Sequence, residues 1–329
     1  MKISGSAWII DENLPLPGYQ GVATMEDQTT SNVIMIRPAA FGFNAQTAEN
    51  NTFQHQPDLN QGEIADRARA EFDALVQLLR NEGVNVTVFE DSVLPAKPDA
   101  VFPNNWVSFH ADGTIVTYPM YAPLRRLERR KEILDEVRRL FEVGDRIELE
   151  SYESDEKYLE GTGSMVLDRA NKIAYACVSP RTDVGLLHSW CKEMGYEPFT
   201  FHARFDGQDI YHTNVMMAIG EGVAAVSLEV VAPASREALR SKLLQTGHEV
   251  VELRKDQIGS FAGNMLAVRN VRGEQLMVMS KSAFNSLDEE QKARIGQHAR
   301  IIHSDVATIE TIGGGSVRCM IAENFLSRI

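Results

Sequence analysis

The sequence predicts an α/β protein in which five similar strand–strand–helix–strand units close into a five-fold pseudosymmetric ring. Three observations predict it. An amphipathic helix, a glycine and a short strand recur along the 329-residue chain. A pair of apolar segments around a polar turn follows each recurrence. The pairs open at Asn105, Gly163, Asn214 and Asn264, at intervals of 58, 51 and 50 residues. Five units are too few for a capped solenoid, whereas a ring disposes of exposed sheet edges.

In chain order, residues 1–31 read as a loosely ordered N-terminal segment, with Pro15, Pro17 and Gly18 before a polar stretch and Met25 as a candidate internal start. NVIMIRP (32–38) opens the ring. The helix–glycine–strand members are ALVQLLRNEGVNVTVFE with Gly83, LDEVRRLFEVGDRIELE with Gly144, LLHSWCKEMGYEPFTFH with Gly195 and ALRSKLLQTGHEVVEL with Gly247. Leucines at helical spacing give each a core-facing stripe, and the glycine supplies a left-handed end-cap. The paired segments are NNWVSFHADGTIVTYPM, GSMVLDRANKIAYACVS, NVMMAIGEGVAAVSLEV and NMLAVRNVRGEQLMVMS; Asp112-Gly113 is the strongest hairpin turn among them. A fifth opening falls in GGGSVRCMI. Its helix, LDEEQKARIGQHARII (287–302), lacks the glycine–strand ending, so the fifth unit reads as degenerate.

Composition excludes several classes of function. A net charge of −13 with interspersed signs argues against nucleic acid and anionic membranes as partners. Cys177, Cys191 and Cys319 have neither disulfide-framework nor metal-ligand spacing, and the histidines show no ligand spacing, so neither a metal nor another cofactor is expected. Reduced cysteines, no apolar run of about 20 residues and no signal pattern point to the cytoplasm. The expected partner is a small molecule, and the choice between monomer and homo-oligomer stays open.

In a ring, equivalent strand starts meet near the axis, so Asn105, Glu160, His212, Asn214, Asn264 and Cys319 are expected to converge on one pocket. The order FPNN (102–105), LEGTG (159–163), SPRTD (179–183), YHTN (211–214) and GGGSVRCM (313–320) resembles the guanidino-group-modifying superfamily, the penteins. That superfamily holds arginine deiminases, dimethylarginine hydrolases, amidinotransferases and succinylarginine dihydrolases. IRPAAFGFN, NNWVSFHADG and LRRLERR look most similar to its bacterial amidinotransferase-like branch associated with citrulline utilisation. The resemblance implies a five-bladed α/β propeller forming a single catalytic domain over 32–329.

Carried over by position, the resemblance makes Cys319 the nucleophile and His212 the general acid and base. Glu160 becomes the carboxylate holding the nitrogens of the planar head group. Arg181 grips the substrate α-carboxylate, with Arg125 or Arg126 as a second clamp; LRRLERRK (124–131) equally reads as a solvated helix start. Asn105, Asn214 and Asn264 are expected at the substrate, and Asn44 or Asn50 are further candidates. A guanidinium carbon is a poor electrophile, so a thiolate and a covalent intermediate suit it, with histidine moving protons. The glycines before Cys319 would let backbone approach the substrate.

Deiminases of the superfamily usually carry aspartate where this chain has Asn105, and His-x-Asp where it has His212-Thr213-Asn214. An amide suits a neutral ureido group, which presents both an acceptor and donors. The expected activity is therefore hydrolysis of citrulline, or of arginine through to ornithine. Arginine deiminase and amidinotransferase are alternatives, and a protein-binding ring is the non-enzymatic one. Cys177 and Cys191 read as small buried hydrophobes.

Overall fold

The computed structural model describes residues 26–56 and 60–329. Five separate three-stranded sheets share one plan, in which the middle strand pairs antiparallel with the first and parallel with the third. In order, the first strands are Val107–Phe109, Val166–Asp168, Met217–Gly220, Leu266–Arg269 and Ala322–Glu323. The sheet begun by Ala322–Glu323 is completed by Asn32–Arg37 and Asn85–Glu90, so both ends of the chain build it. An additional two-stranded hairpin joins Arg204–Phe205 to Gln208–Asp209.

The helices follow from local chemistry. Gln61–Asn81 starts where the Asn60 side chain accepts from the Glu63 amide, and it buries Ile64, Ala68, Phe72, Leu75, Val76 and Leu79 on one stripe. Val184–Met194 starts on Asp183 and stops at Gly195, whose φ of +71° is left-handed. Gly83 and Gly247 are left-handed as expected, but Gly144 is not. The helix Lys131–Leu140 has already ended at the extended Phe141, and Gly144 instead donates its amide to the Gly113 carbonyl.

The fifth unit is complete, contrary to its expected degeneracy. Helix Glu289–Gly296 leads into strand Arg300–Ser304, which pairs in parallel with Gln275–Ser280. Ile302 and Ser304 are buried in that strand while Arg300 and His303 are exposed, an alternation hidden in sequence by the polar GQHAR run. Of the segment 1–31 expected to be loosely ordered, residues 26–31 are described. Residues 1–25 lie outside those described, whereas Gln28, Thr29 and Thr30 are buried. Gln28 bonds Leu167 and Arg169, Thr29 bonds Glu221, and Thr30 bonds Asn324 and Arg269.

No single closed sheet makes the predicted ring. Hydrogen bonds link neighbouring units near their first strands instead. Asn104 and Thr162 bond each other, and Thr213 Oγ1 donates to the Ser164 carbonyl. Asn264 Nδ2 donates to the Asn214 carbonyl and Asn264 Oδ1 accepts from the Arg318 amide. A parallel bridge joins Phe109 to Asn324. Among the described residues no helix is long and apolar enough to cross a membrane.

Candidate active site

Short 3-10 turns, Pro103–Asn105 and Thr213–Val215, precede two of the first strands and bury Asn105 and Asn214. The turn Gly161–Ser164 precedes a third, directly after Glu160. Two glycines are required by close approach. A Cβ on Gly163 would lie 2.4 Å from Asn105 Nδ2 and 2.7 Å from the His212 ring, and one on Gly313 would lie 2.8 Å from the Phe102 ring. The glycine run thus packs on Phe102, and its Gly313 and Gly315 line a cleft shared with Asp99, Asn105, Arg125, Arg181, Tyr211, His212 and Cys319. All of the residues that line the cleft are buried.

Cys319 is buried, and its Sγ lies 3.3 Å from Asn264 Nδ2 and 3.6 Å from Asn214 Nδ2. Two amide N–H groups thus face one sulfur. Asn264 and Asn214 therefore sit against the candidate nucleophile, outside the residues that line the cleft. Cys177 and Cys191 lie away from the cleft, and burial pushes both thiols up to about 12.

His212 Nε2 is 2.8 Å from Glu160 Oε2. Burial would raise the Glu160 carboxyl, but the charge of Arg181, the bond from His212 and the charge of Arg125 outweigh it and hold it well below the usual range. An ionised carboxylate only accepts, so Nε2 carries the proton and Nδ1 is left as the ring's free acceptor. Burial lowers His212 to about 4, against the opposing pull of Glu160, so the ring is neutral near pH 7.

Glu160 is engaged within the protein at both oxygens, since Oε1 accepts from the Tyr121 amide at 2.9 Å. It is not among the residues that line the cleft, and its Oε2 faces His212 Nε2. Ser164 holds this corner together: its Oγ accepts from the Glu160 amide and donates to the Arg181 carbonyl.

Arg181 lines the cleft, with its guanidinium bonded to Asn50 Oδ1 and the Thr47 carbonyl and lying 4.8 Å from the Tyr211 ring centre. Arg125 also lines it, bound to Glu128, Asn105 and Phe102. Arg126 is not brought to the cleft; it bonds the Met120 carbonyl and pairs with Glu153. Of the two earlier candidates, Asn44 caps a short helix and donates to Asp99 Oδ2 at 2.7 Å, and Asn50 serves Arg181.

Sequence reasoning missed Asp99, Asn51 and Tyr211. Asp99 lines the cleft, is 2 % exposed, and its Oδ1 has no hydrogen-bond partner among the described residues. Burial raises its carboxyl despite the nearby charge of Arg125. The available signal was an acid opening the apolar run AVF that leads into FPNN. Asn51 and Tyr211 both bond the Gly314 carbonyl, which fixes the loop before Cys319. Among the described residues no group of three or more histidine, cysteine, aspartate or glutamate side chains could hold a metal ion.

The family model described as N,N dimethylarginine dimethylhydrolase, eukaryotic, matches residues 37–326 of the chain. No curated protein matches it. Among solved structures it is similar to the product-bound N-terminal domain of ArgZ, an arginine dihydrolase from the ornithine–ammonia cycle in cyanobacteria, with a TM-score of 0.70 and 16% identity over 89% of this chain and 96% of that one. Unliganded AgrE gives a TM-score of 0.70 and 16% identity over 89% of this chain, which spans only 39% of AgrE. A dimethylarginine dimethylaminohydrolase variant bound as its adduct with S-methyl-L-thiocitrulline gives 0.58 and 16% over 90% and 99%. At these identities the structural likeness establishes the mixed α/β fold.

Proposed function

Because this chain belongs to the N,N dimethylarginine dimethylhydrolase family, and is thereby a pentein C–N hydrolase acting on guanidino groups, we propose that it hydrolyses the ureido or guanidino group of citrulline or arginine to ornithine. The observation that carries this reading is Cys319 Sγ under two amide donors, in the same buried cleft as a His212 oriented by Glu160. His212 takes the Cys319 thiol proton at Nδ1 as the sulfur adds to the planar carbon, and the resulting imidazolium gives that proton to the departing amine. His212 then removes a proton from the water that cleaves the S–C bond. With citrulline, ornithine leaves and the remaining carbon departs as carbamate, which breaks down to ammonia and carbon dioxide.

In this reading Asp99 Oδ1 accepts from a head-group N–H, Asn105 Nδ2 donates to it, and Arg181 serves the amino-acid carboxylate. The five sheets are taken as blades around one axis, within a single catalytic domain over 32–329. The unit-to-unit hydrogen bonds support that, and an experimental structure whose first strands share no axis would remove it. Three free cysteines fit a reducing compartment such as the cytoplasm, which cell fractionation checks.

Purified protein is offered citrulline, arginine and dimethylarginine, and the amino-acid and amine products are identified. Ornithine from citrulline or arginine supports the proposal. The family model favours a second reading, which dimethylamine release from dimethylarginine alone would establish. Citrulline as the end product of arginine would make the protein a deiminase, and no turnover of any of the three would defeat the reading.

A further inference from the structure

Tyr211 is buried in the cleft wall between Arg181 and the loop that leads to Cys319. Ser179 Oγ donates to the Tyr211 carbonyl at 2.8 Å and accepts from the Arg181 amide at 3.1 Å, so the backbones of the two residues are tied together. The Arg181 guanidinium lies over the Tyr211 ring, its central carbon 4.8 Å from the ring centre. Asn50 Oδ1 and the Thr47 carbonyl accept its N–H groups. A guanidinium held at its edge by acceptors and backed by an aromatic ring has little freedom left to turn.

The far end of the same side chain reaches the glycine run. Tyr211 Oη donates to the Gly314 carbonyl at 2.5 Å, and Asn51 Nδ2 donates to that carbonyl at 3.2 Å. The Gly314 amide donates to the Glu310 carbonyl at 2.9 Å, so this peptide is held at both of its polar groups. Gly314 has a left-handed φ of +63°, and a Cβ there would lie 2.5 Å from Asn51 Nδ2. Cys319 follows through a turn that its own amide closes on the Ser316 carbonyl at 2.9 Å. Burial pushes the Tyr211 phenol well above its usual range, so the hydroxyl keeps its proton and stays a donor.

We propose that Tyr211 is a positioning residue with two separable ends: its hydroxyl sets the Gly314 carbonyl and through it the loop that carries Cys319, and its ring holds Arg181 for the substrate carboxylate. This inference rests on the reading of the cleft as a site for a ureido or guanidino amino acid in which Arg181 serves that carboxylate. The hydroxyl bears on the step in which sulfur meets carbon, so its effect belongs in kcat. The ring bears on a group remote from the chemistry, so its effect belongs in KM.

Two variants separate the ends, since Tyr211→Phe removes the hydroxyl alone and Tyr211→Leu removes the ring as well. Tyr211→Phe should lower kcat on citrulline or arginine roughly threefold to tenfold and leave KM within about twofold, because Asn51 still bonds the carbonyl. Tyr211→Leu should lower kcat to a similar extent and also raise KM about tenfold. The preference for an amino acid over its decarboxylated counterpart, arginine over agmatine or citrulline over N-carbamoylputrescine, is read as a ratio of kcat/KM. It should fall roughly tenfold in Tyr211→Leu and hold in Tyr211→Phe. A wild-type kcat in Tyr211→Phe overturns the role of the hydroxyl, and an unchanged preference in Tyr211→Leu overturns that of the ring. Equal losses in both variants on all substrates would make the residue merely structural and overturn the proposal. Hydrogen exchange is the second measurement: it should quicken in the peptide 313–320 in both variants and in 179–183 in Tyr211→Leu alone, with other peptides as in the wild type. If the wild type turns over none of these substrates, the functional reading fails and exchange decides the positioning. The stated pattern then upholds it, and an unchanged or global pattern overturns it.

Discussion

Replacing Glu160 with glutamine keeps the shape of the side chain and removes one buried charge. That charge faces His212 Nε2 at 2.8 Å, Arg181 Nη1 at 3.5 Å and Arg125 Nη1 at 3.8 Å. At an effective dielectric of about 20, each arginine contact carries roughly 4–5 kcal/mol of attraction before desolvation is counted. Breaking a buried pair by removing one partner typically costs about 3–5 kcal/mol. With roughly 2 cal/mol/K of unfolding entropy per residue, that corresponds to a fall of about 4–7 °C in Tm for a chain of this length. Catalysis suffers separately. Glutamine can accept from or donate to the ring, so the tautomer of His212 is no longer fixed, and the imidazolium formed during proton transfer loses its counter-ion. Glu160→Gln should lower kcat roughly a hundredfold to ten-thousandfold, the size of one acid–base contribution. Since Glu160 raises the His212 pKa, the acid limb of the pH–rate profile should move to lower pH. Steady-state kinetics across pH and thermal unfolding of both proteins decide the matter. A kcat within about twofold of wild type would refute the dyad, and a rise in KM alone would return Glu160 to the head group.

Other perturbations have comparably definite outcomes. His212→Ala should lower kcat roughly a hundredfold to ten-thousandfold; near-normal turnover across pH would mean that another group moves the protons. Asn105→Asp keeps the oxygen that Arg125 binds but replaces the N–H beside Asn104 Oδ1 with an acceptor. It should lower kcat/KM for citrulline roughly tenfold to a hundredfold and spare arginine; equal losses on both would remove the argument from donor placement. Acid should destabilise the fold through His212. Its pKa falls from 6.5 to about 4 on folding, so between those values the unfolded chain binds a proton that the folded one refuses. Stability is therefore lost as pH falls from about 6.5 to about 4, by about 3 kcal/mol from this group. Denaturant titrations of wild type and His212→Gln should differ by that amount, and parallel curves would contradict the buried, neutral ring.

Much of this architecture was legible because it is written in periods. The helix–glycine–strand recurrences and the turn chemistry of Asp112-Gly113 depend on local residues, and the observed elements follow them. What escaped depends on contacts between distant segments. The strand Arg300–Ser304 is hidden behind polar residues and becomes visible only through its parallel pairing with Gln275–Ser280. Gly144 follows the helix as the others do, yet its conformation is set by the Gly113 carbonyl across the sheet. Within the site, Cys319 and His212 were recognisable as types in a familiar order. Their surroundings were not. Asn214 and Asn264 carry no sequence mark separating a sulfur ligand from a substrate ligand, and Asp99 is one acid among 46 acidic residues. The pairing of Arg125 with Glu128, three residues on, looks in sequence like an ordinary surface pair on a short helix. Burial of both at 3 % exposure turns it into part of the cleft's wall.

The central claim is that Cys319 becomes covalently bonded to the substrate carbon, and mass spectrometry of acid-quenched enzyme in steady state tests it most directly. Protein mixed with citrulline or arginine, denatured within the turnover time and digested, should carry the added mass on the peptide containing Cys319. Cys319→Ala should carry none while unfolding at the wild-type temperature. An adduct on the Cys177 or Cys191 peptide instead, or turnover retained by Cys319→Ala, would contradict the account.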